Sequence, residues 1–239
     1  MSQLSRLSLL SLLCASLAAC GEDATGPGNE EEVISRVELV MVPMGGGPTV
    51  TAVFDDPDGD GGEPPTVDAF TLTVGTTYAT SVRFLNALET PAEDITVEVR
   101  DEGDQHQVFF TGTAVDGPAS DLPGAALTHA YTDADVNGLP VGLENTLVAA
   151  PGTGDLTVTL RHLPPVNGLP VKTAALAGDV RASGFTGLPG ATDAQVTFPV
   201  AIPVPREFVK QTRPEVGTSR GVPCEAGRGA ELPGGSFSD

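Results

Sequence analysis

Asp133-Ala134-Asp135-Val136-Asn137-Gly138 places oxygen-bearing side chains at alternate positions, and Glu144 follows at the twelfth place. This spacing fits the calcium-loop pattern D-x-[DN]-x-[DN]-G-x₅-E. Calcium is a hard cation that takes six to eight oxygen ligands. Alternate acids converge as the chain curls, a glycine permits the sharp turn, and a late glutamate closes the shell with both oxygens. The same residues would also serve as an Asx-rich turn between two strands. Pro140 stands where a helical calcium hand has an apolar residue, and no helical pattern flanks the loop.

A second acidic segment, Asp55-Asp56-Pro57-Asp58-Gly59-Asp60-Gly61-Gly62, repeats the first half of that pattern through Asp56, Asp58 and Asp60. Its twelfth position is Val67, so the closing carboxylate is missing unless Glu63 or Asp68 replaces it. Such clustered carboxylates repel one another unless water or a cation neutralises them. A solvated hairpin loop is the simpler reading. Three histidines, His106, His129 and His162, lie far apart without metal-ligand spacing, which points to ordinary polar positions. No P-loop, nucleophile elbow, HExxH or CxxC is present, and the chain is read as a non-enzyme.

The elements that would position these loops read as strands. Val33–Val42, Thr49–Phe54, Ala69–Val74 and Tyr78–Leu85 alternate apolar and polar residues. Gln107–Thr111, Leu127–Tyr131, Thr146–Ala149, Leu156–Arg161 and Gln195–Ile202 follow with Gly/Pro/Asp turns between them. No βαβ alternation is visible. The pattern predicts an all-β fold, a single antiparallel β-sandwich of immunoglobulin/fibronectin-like type. One short helix is expected over residues 91–102. There Thr90-Pro91-Ala92-Glu93 forms a capping box with proline at the first helical position, and Gly103 is the stop.

The chain's first residues address it to a membrane. Arg6 precedes the apolar run Leu7–Leu13, and small residues lead to Leu17-Ala18-Ala19-Cys20. This reads as a secretory signal over 1–19. It resembles the lipobox of bacterial lipoproteins, in which Cys20 becomes lipidated. The apolar run is too short to span roughly 30 Å of hydrocarbon. Residues 20–32 then form an acidic flexible tether, residues 33–202 the sandwich domain, and residues 203–239 a disordered tail. Gly21, directly after Cys20, leaves no aspartate retention signal there and favours the outer membrane.

Composition narrows the partners. A net charge of −20 repels nucleic acid and attracts cations. With no Trp and two Tyr, a sugar-stacking surface is disfavoured. Of three cysteines, Cys14 leaves with the signal and Cys20 carries lipid, so Cys224 alone predicts no disulfide, within the chain or to a partner.

Further segments carry a likeness: Asn29–Ile34, Asp56–Gly62, Gly75–Tyr78, Phe84–Asn86, Pro91–Ile95 and Asp104–Phe110. Asp133–Asp135, Asn137–Leu143, Thr157–His162 and Thr192–Val200 continue it. Over residues 20–202 the chain resembles small lipoproteins of several environmental bacterial phyla, some labelled "type 1 periplasmic-binding-fold superfamily protein". The resemblance implies a lipid-anchored envelope protein and brings no activity with it. Family members close near Gln195–Val200 and do not regularly carry an acid at the position of Glu144. The expected function is a structural or interaction module with an envelope protein as partner, stabilised by calcium. The alternative is a ligand-capture lipoprotein of a transport or secretion system.

Overall fold

Val37, Leu39 and Met41 point inward from the first strand while Arg36, Glu38 and Val40 stand outside, the alternation a half-buried strand requires. The computed structural model describes residues 32–59 and 61–204. The signal segment, Cys20, the tether up to residue 31, Asp60, Cys224 and the tail from residue 205 lie outside the described residues.

The strands are β1 (Arg36–Pro43), β2 (Val50–Asp55), β3 (Thr66–Val67), β4 (Phe70–Thr71), β5 (Thr77–Asn86) and β6 (Glu93–Asp94). Helix α1 (Thr96–Asp101) comes next, then β7 (His106–Thr111), β8 (Val115–Asp116), β9 (Leu127–Tyr131), β10 (Glu144–Ala149) and β11 (Gly152–His162). Helix α2 (Leu176–Ser183) and β12 (Ala191–Ile202) complete the order. One sheet runs β3-β2-β1-β5-β10-β9-β8, with β6 also paired to β5; the other runs β4-β12-β11-β7.

The fold is mostly β, with two sheets and two helices. Both sheets feed one cluster of buried side chains. Leu39, Phe84 and Leu147 come from the first; Phe110, Leu156 and Phe198 come from the second. Each such side chain contributes about 1.5–3 kcal/mol by leaving water. A smaller cluster forms on the other face of β7, where Phe109 packs with Leu163 and with Leu176, Ala177 and Val180 of α2.

Three expectations change. Pairing is not purely antiparallel, because β4 runs parallel to β12 and β8 parallel to β9. Two helices form, not one; α2 covers the outer face of β7, which would otherwise expose Phe109. The helix expected over 91–102 shrinks to Thr96–Asp101. Glu93 and Asp94 pair with Asn86 and Leu85, so β5 captures the first turn as strand. The Thr96 hydroxyl accepts from Phe84 N (2.9 Å) and donates to Phe84 O (3.2 Å), pinning the helix start to the sheet.

Candidate functional site

The Asp133–Glu144 loop connects β9 to β10. Asp133 Oδ1 accepts Gly142 N (2.8 Å), and its Oδ2 accepts Leu143 N (2.8 Å) and Glu144 N (3.1 Å). Gly142 is required there: its φ is +87°, and a Cβ would meet Val108 O at 2.7 Å. Asp135 Oδ1 accepts Asn137 N (2.8 Å) and Leu139 N (2.9 Å), an Asx turn closed by Gly138 at φ 76°. Its other oxygen meets Lys172 Nζ at 2.9 Å, with both side chains 1% exposed. Lys172 Nζ also donates to Gly103 O at 2.6 Å. Burial pushes the Asp135 carboxyl up, but the Lys172 ammonium and the two amides outweigh it and hold it below the usual range. Asn137 is exposed, and Glu144 turns outward to Arg100 at 3.9 Å.

The structure thus uses Asp133 and Asp135 as backbone-capping acids, the second with a tethered cation, and leaves the side chains of Asn137 and Glu144 outside that arrangement. Among the described residues, imidazole and carboxylate atoms gather within 4.8 Å of one another in two groups of three, and neither contains Asp133, Asp135 or Glu144. One is Glu32, His106 and Asp193; the other is Glu102, His106 and His162.

These residues converge for reasons of strand register. His106 opens β7 and His162 closes β11, and the two are direct cross-strand partners. Their rings stack at 4.7 Å and 10°. On the far side of β11, Leu160 pairs with Ala194 and Arg161 with Thr192, so Asp193 is the extra residue of a β-bulge. A bulge re-aims the side chain it carries. Glu32 arrives just before β1, where the chain is fixed by Ser35: its N–H donates to Leu85 O (3.1 Å) and its O accepts Asp56 N (2.8 Å).

His106 is fully buried, and Glu32's side chain is 10% exposed. His106 Nδ1 lies 3.2 Å from the Glu102 carbonyl oxygen. A carbonyl only accepts, so Nδ1 carries the hydrogen and Nε2 presents a lone pair. That lone pair faces Glu32 Oε1 at 3.6 Å. Among the described residues, His106 Nε2, His162 Nε2 and Glu32 Oε2 have no hydrogen-bond partner. Burial, reinforced by the charges of Asp193, Glu98 and Glu102, pushes the Glu32 carboxyl up to about 7. Burial pushes His106 down to about 4, against the opposing hydrogen bond to Glu102.

Glu32 and Asp193 also line a surface cleft of about 360 Å³ together with Asp56 and Asp58. The second predicted acidic segment therefore borders this site. Within it, Asp58 N donates to Asp56 Oδ1 (3.4 Å) and Glu63 N to Asp58 Oδ2 (3.1 Å).

His129 lies apart from these groups. It is buried under Phe110 (4.3 Å, stacked), and its Nε2 meets Asn145 Oδ1 at 2.9 Å. His106 and His162, far apart in sequence, are brought face to face by strand pairing. Their pairing was invisible in the sequence because it depends on which strands become neighbours. Glu32, read as tether, and Asp193, just ahead of the expected strand Gln195–Ile202, join them for the same reason.

Comparisons with family models, with curated proteins and with solved structures returned no match.

Proposed function

We propose that this protein is a lipid-anchored β-sandwich module of the bacterial cell envelope, held in the outer membrane through acyl chains on Cys20. It acts by interaction and not by catalysis. The observation that carries this reading is the shared core. Both sheets contribute to one cluster filled by large apolar side chains, including Phe84, Phe110 and Phe198. Such an interior is scaffold, which leaves edges, loops and clefts for partners. Among the described residues no helix is long and apolar enough to cross a membrane. Two or three acyl chains at about 0.8 kcal/mol per buried CH₂ would supply stable attachment instead. Calcium held by Asp133, Asp135, Asn137 and Glu144 belongs to the same proposal. There it must share Asp135 with Lys172.

The test is Cys20→Ser. The variant is expected to leave the carbonate-washed membrane fraction or to retain its signal segment. Equal membrane partition of variant and wild type would overturn the anchor.

A second reading, capture of a ligand for a transport or secretion system, is favoured by the cleft. Four carboxylates (Glu32, Asp56, Asp58 and Asp193) line it, which suits a cationic ligand. Pull-down of the lipidated protein from its native envelope separates the readings. A stoichiometric protein partner supports the module, and a transport complex supports capture.

A further inference from the structure

We infer that Glu32, His106 and Asp193 form a binding site for a divalent transition metal, zinc by chemical preference, with His162 and Glu102 flanking it. The inference stands on side-chain geometry and rests on neither reading above.

Acids near one another are not a site. The independent observation is His106. Its imidazole is fully buried, the Glu102 carbonyl fixes its tautomer, and its bare Nε2 lone pair has no hydrogen-bond partner among the described residues. It is aimed at a carboxylate oxygen 3.6 Å away. Two lone pairs facing each other in a buried place repel, and a cation between them turns that repulsion into two bonds. Tetrahedral zinc with ligands at about 2.0–2.1 Å sets its ligand atoms about 3.3 Å apart. The Glu32–His106 separation is close to that, and Asp193 stands within 4.8 Å of both. Hydrogen bonding of the distal imidazole nitrogen to a carbonyl is the usual support for a ligating histidine. Imidazole favours a transition metal over magnesium or calcium, which prefer all-oxygen shells.

The placement has a structural consequence. Glu32 precedes β1, His106 begins β7, and Asp193 sits in the β12 bulge. A metal there would clamp the incoming chain to the second sheet. Three protein ligands leave a fourth position for water or a small ligand from the cleft. Asp193 also lies within the field of Arg161, whose charge the metal must share.

The experiment uses full-length protein in detergent, carrying Cys224→Ser so that a thiolate cannot supply a ligand. Cobalt(II) is titrated and its visible d–d absorption followed, then zinc is used to displace it. One ion per chain is expected, with absorption far stronger than hydrated cobalt. Glu32→Gln and His106→Gln should each weaken zinc binding at least about tenfold, and Glu89→Gln, an exposed acid elsewhere, should not. If His106→Gln does not fold, Glu32→Gln decides, because its amide keeps the shape of the carboxylate. Zinc should also raise the melting temperature of wild type more than that of Glu32→Gln. Zinc affinity no greater than that of magnesium would assign the attraction to net charge and overturn the site. So would wild-type binding by folded Glu32→Gln. If no ion binds with defined stoichiometry, a proton shared by Glu32 and His106 fills the gap, and the inference fails.

Discussion

Lys172→Met removes the ammonium that meets Asp135 at 2.9 Å, in a place where both side chains are 1% exposed. At an effective dielectric of about 20, a pair at that distance attracts by about 6 kcal/mol. Desolvation of both charges opposes this attraction. Breaking such a pair from one side leaves a buried charge uncompensated and costs about 3–5 kcal/mol. The Gly103 carbonyl, also buried, loses its donor in the same variant. Asp135→Asn keeps an oxygen for the Asn137 and Leu139 amides while removing the charge. The double variant should therefore be more stable than Lys172→Met alone. A double-mutant cycle by urea denaturation should give a coupling of about 2–4 kcal/mol, below the full cost because the Gly103 carbonyl stays unsatisfied in both Met variants. The sign against pH follows from the carboxylate. Its folded pKa lies below the ordinary value, so the pair's contribution is complete at neutral pH. It fades as pH falls from about 4 towards that lower pKa. A coupling under about 1 kcal/mol, the range of exposed pairs, would refute the account of this pair as a buried internal cation.

At the same loop, about 10 mM calcium against a Kd near 10⁻⁴ M should stabilise by about 2.7 kcal/mol, with magnesium as the control for screening. The double change Asp133→Asn, Asp135→Asn should abolish the calcium-specific part, and Lys172→Met should enlarge it. Equal rises in melting temperature with the two ions would leave the loop a turn only. His129 gives a separate pH signature, because burial pushes its pKa down to about 4 despite the Asn145 hydrogen bond. The unfolded chain binds this proton near 6.5, so stability is full above that value and declines as pH falls to about 4. The loss there reaches about 3 kcal/mol. A His129→Gln variant whose stability follows wild type in parallel between pH 4 and 7 would remove His129 as the source.

Period-two alternation located β1, β2 and β5, where one face packs on the shared core; short runs between Gly/Pro/Asp turns located β9, β11 and β12. Leu127–Tyr131 was legible to the residue. Where a strand has both faces covered, as in β7, alternation vanishes, and its start at His106 fell outside the expected range. Helix α2 went unread. Leu176 and Val180 lie four apart among alanines, and Gly184 ends the helix at φ 65°, but Gly178 and Asp179 hide the pattern. The parallel pairs β4–β12 and β8–β9 each include a two-residue strand: the expected Ala69–Val74 shortens to Phe70–Thr71, and Val115–Asp116 is too short for any periodicity. The acids of the Asp133 loop stand close together in the sequence, and the cation on Asp135 does not. Lys172 comes from a distant loop, and nothing local marks it as buried.

Charge placement joins these findings. The chain holds 12 Lys and Arg against 32 Asp and Glu, so each cation's position matters. Among the described residues, Arg36 pairs with Asp55, and Arg83 bridges Glu38 and Asp94. Arg161 donates to Pro189 O, Gly190 O and Thr192 Oγ1, holding the loop ahead of β12. Lys172 sits on Asp135, and Arg100 stands near Glu144. The predicted calcium loop thus has basic side chains on two of its acids. Glu32, more buried than Asp55, Asp94 or Glu144, meets the neutral ring of His106 instead of a guanidinium or ammonium. Three further acids raise its pKa, and the cleft beside it is acidic. Asp55, Glu38, Asp94, Asp135 and Glu144 each have a basic side chain as counter-charge, and Asp133 has three backbone amides. At Glu32 that role falls to a proton or to a metal from solution, and the buried imidazole lone pair gives the metal a ligand that a proton does not need.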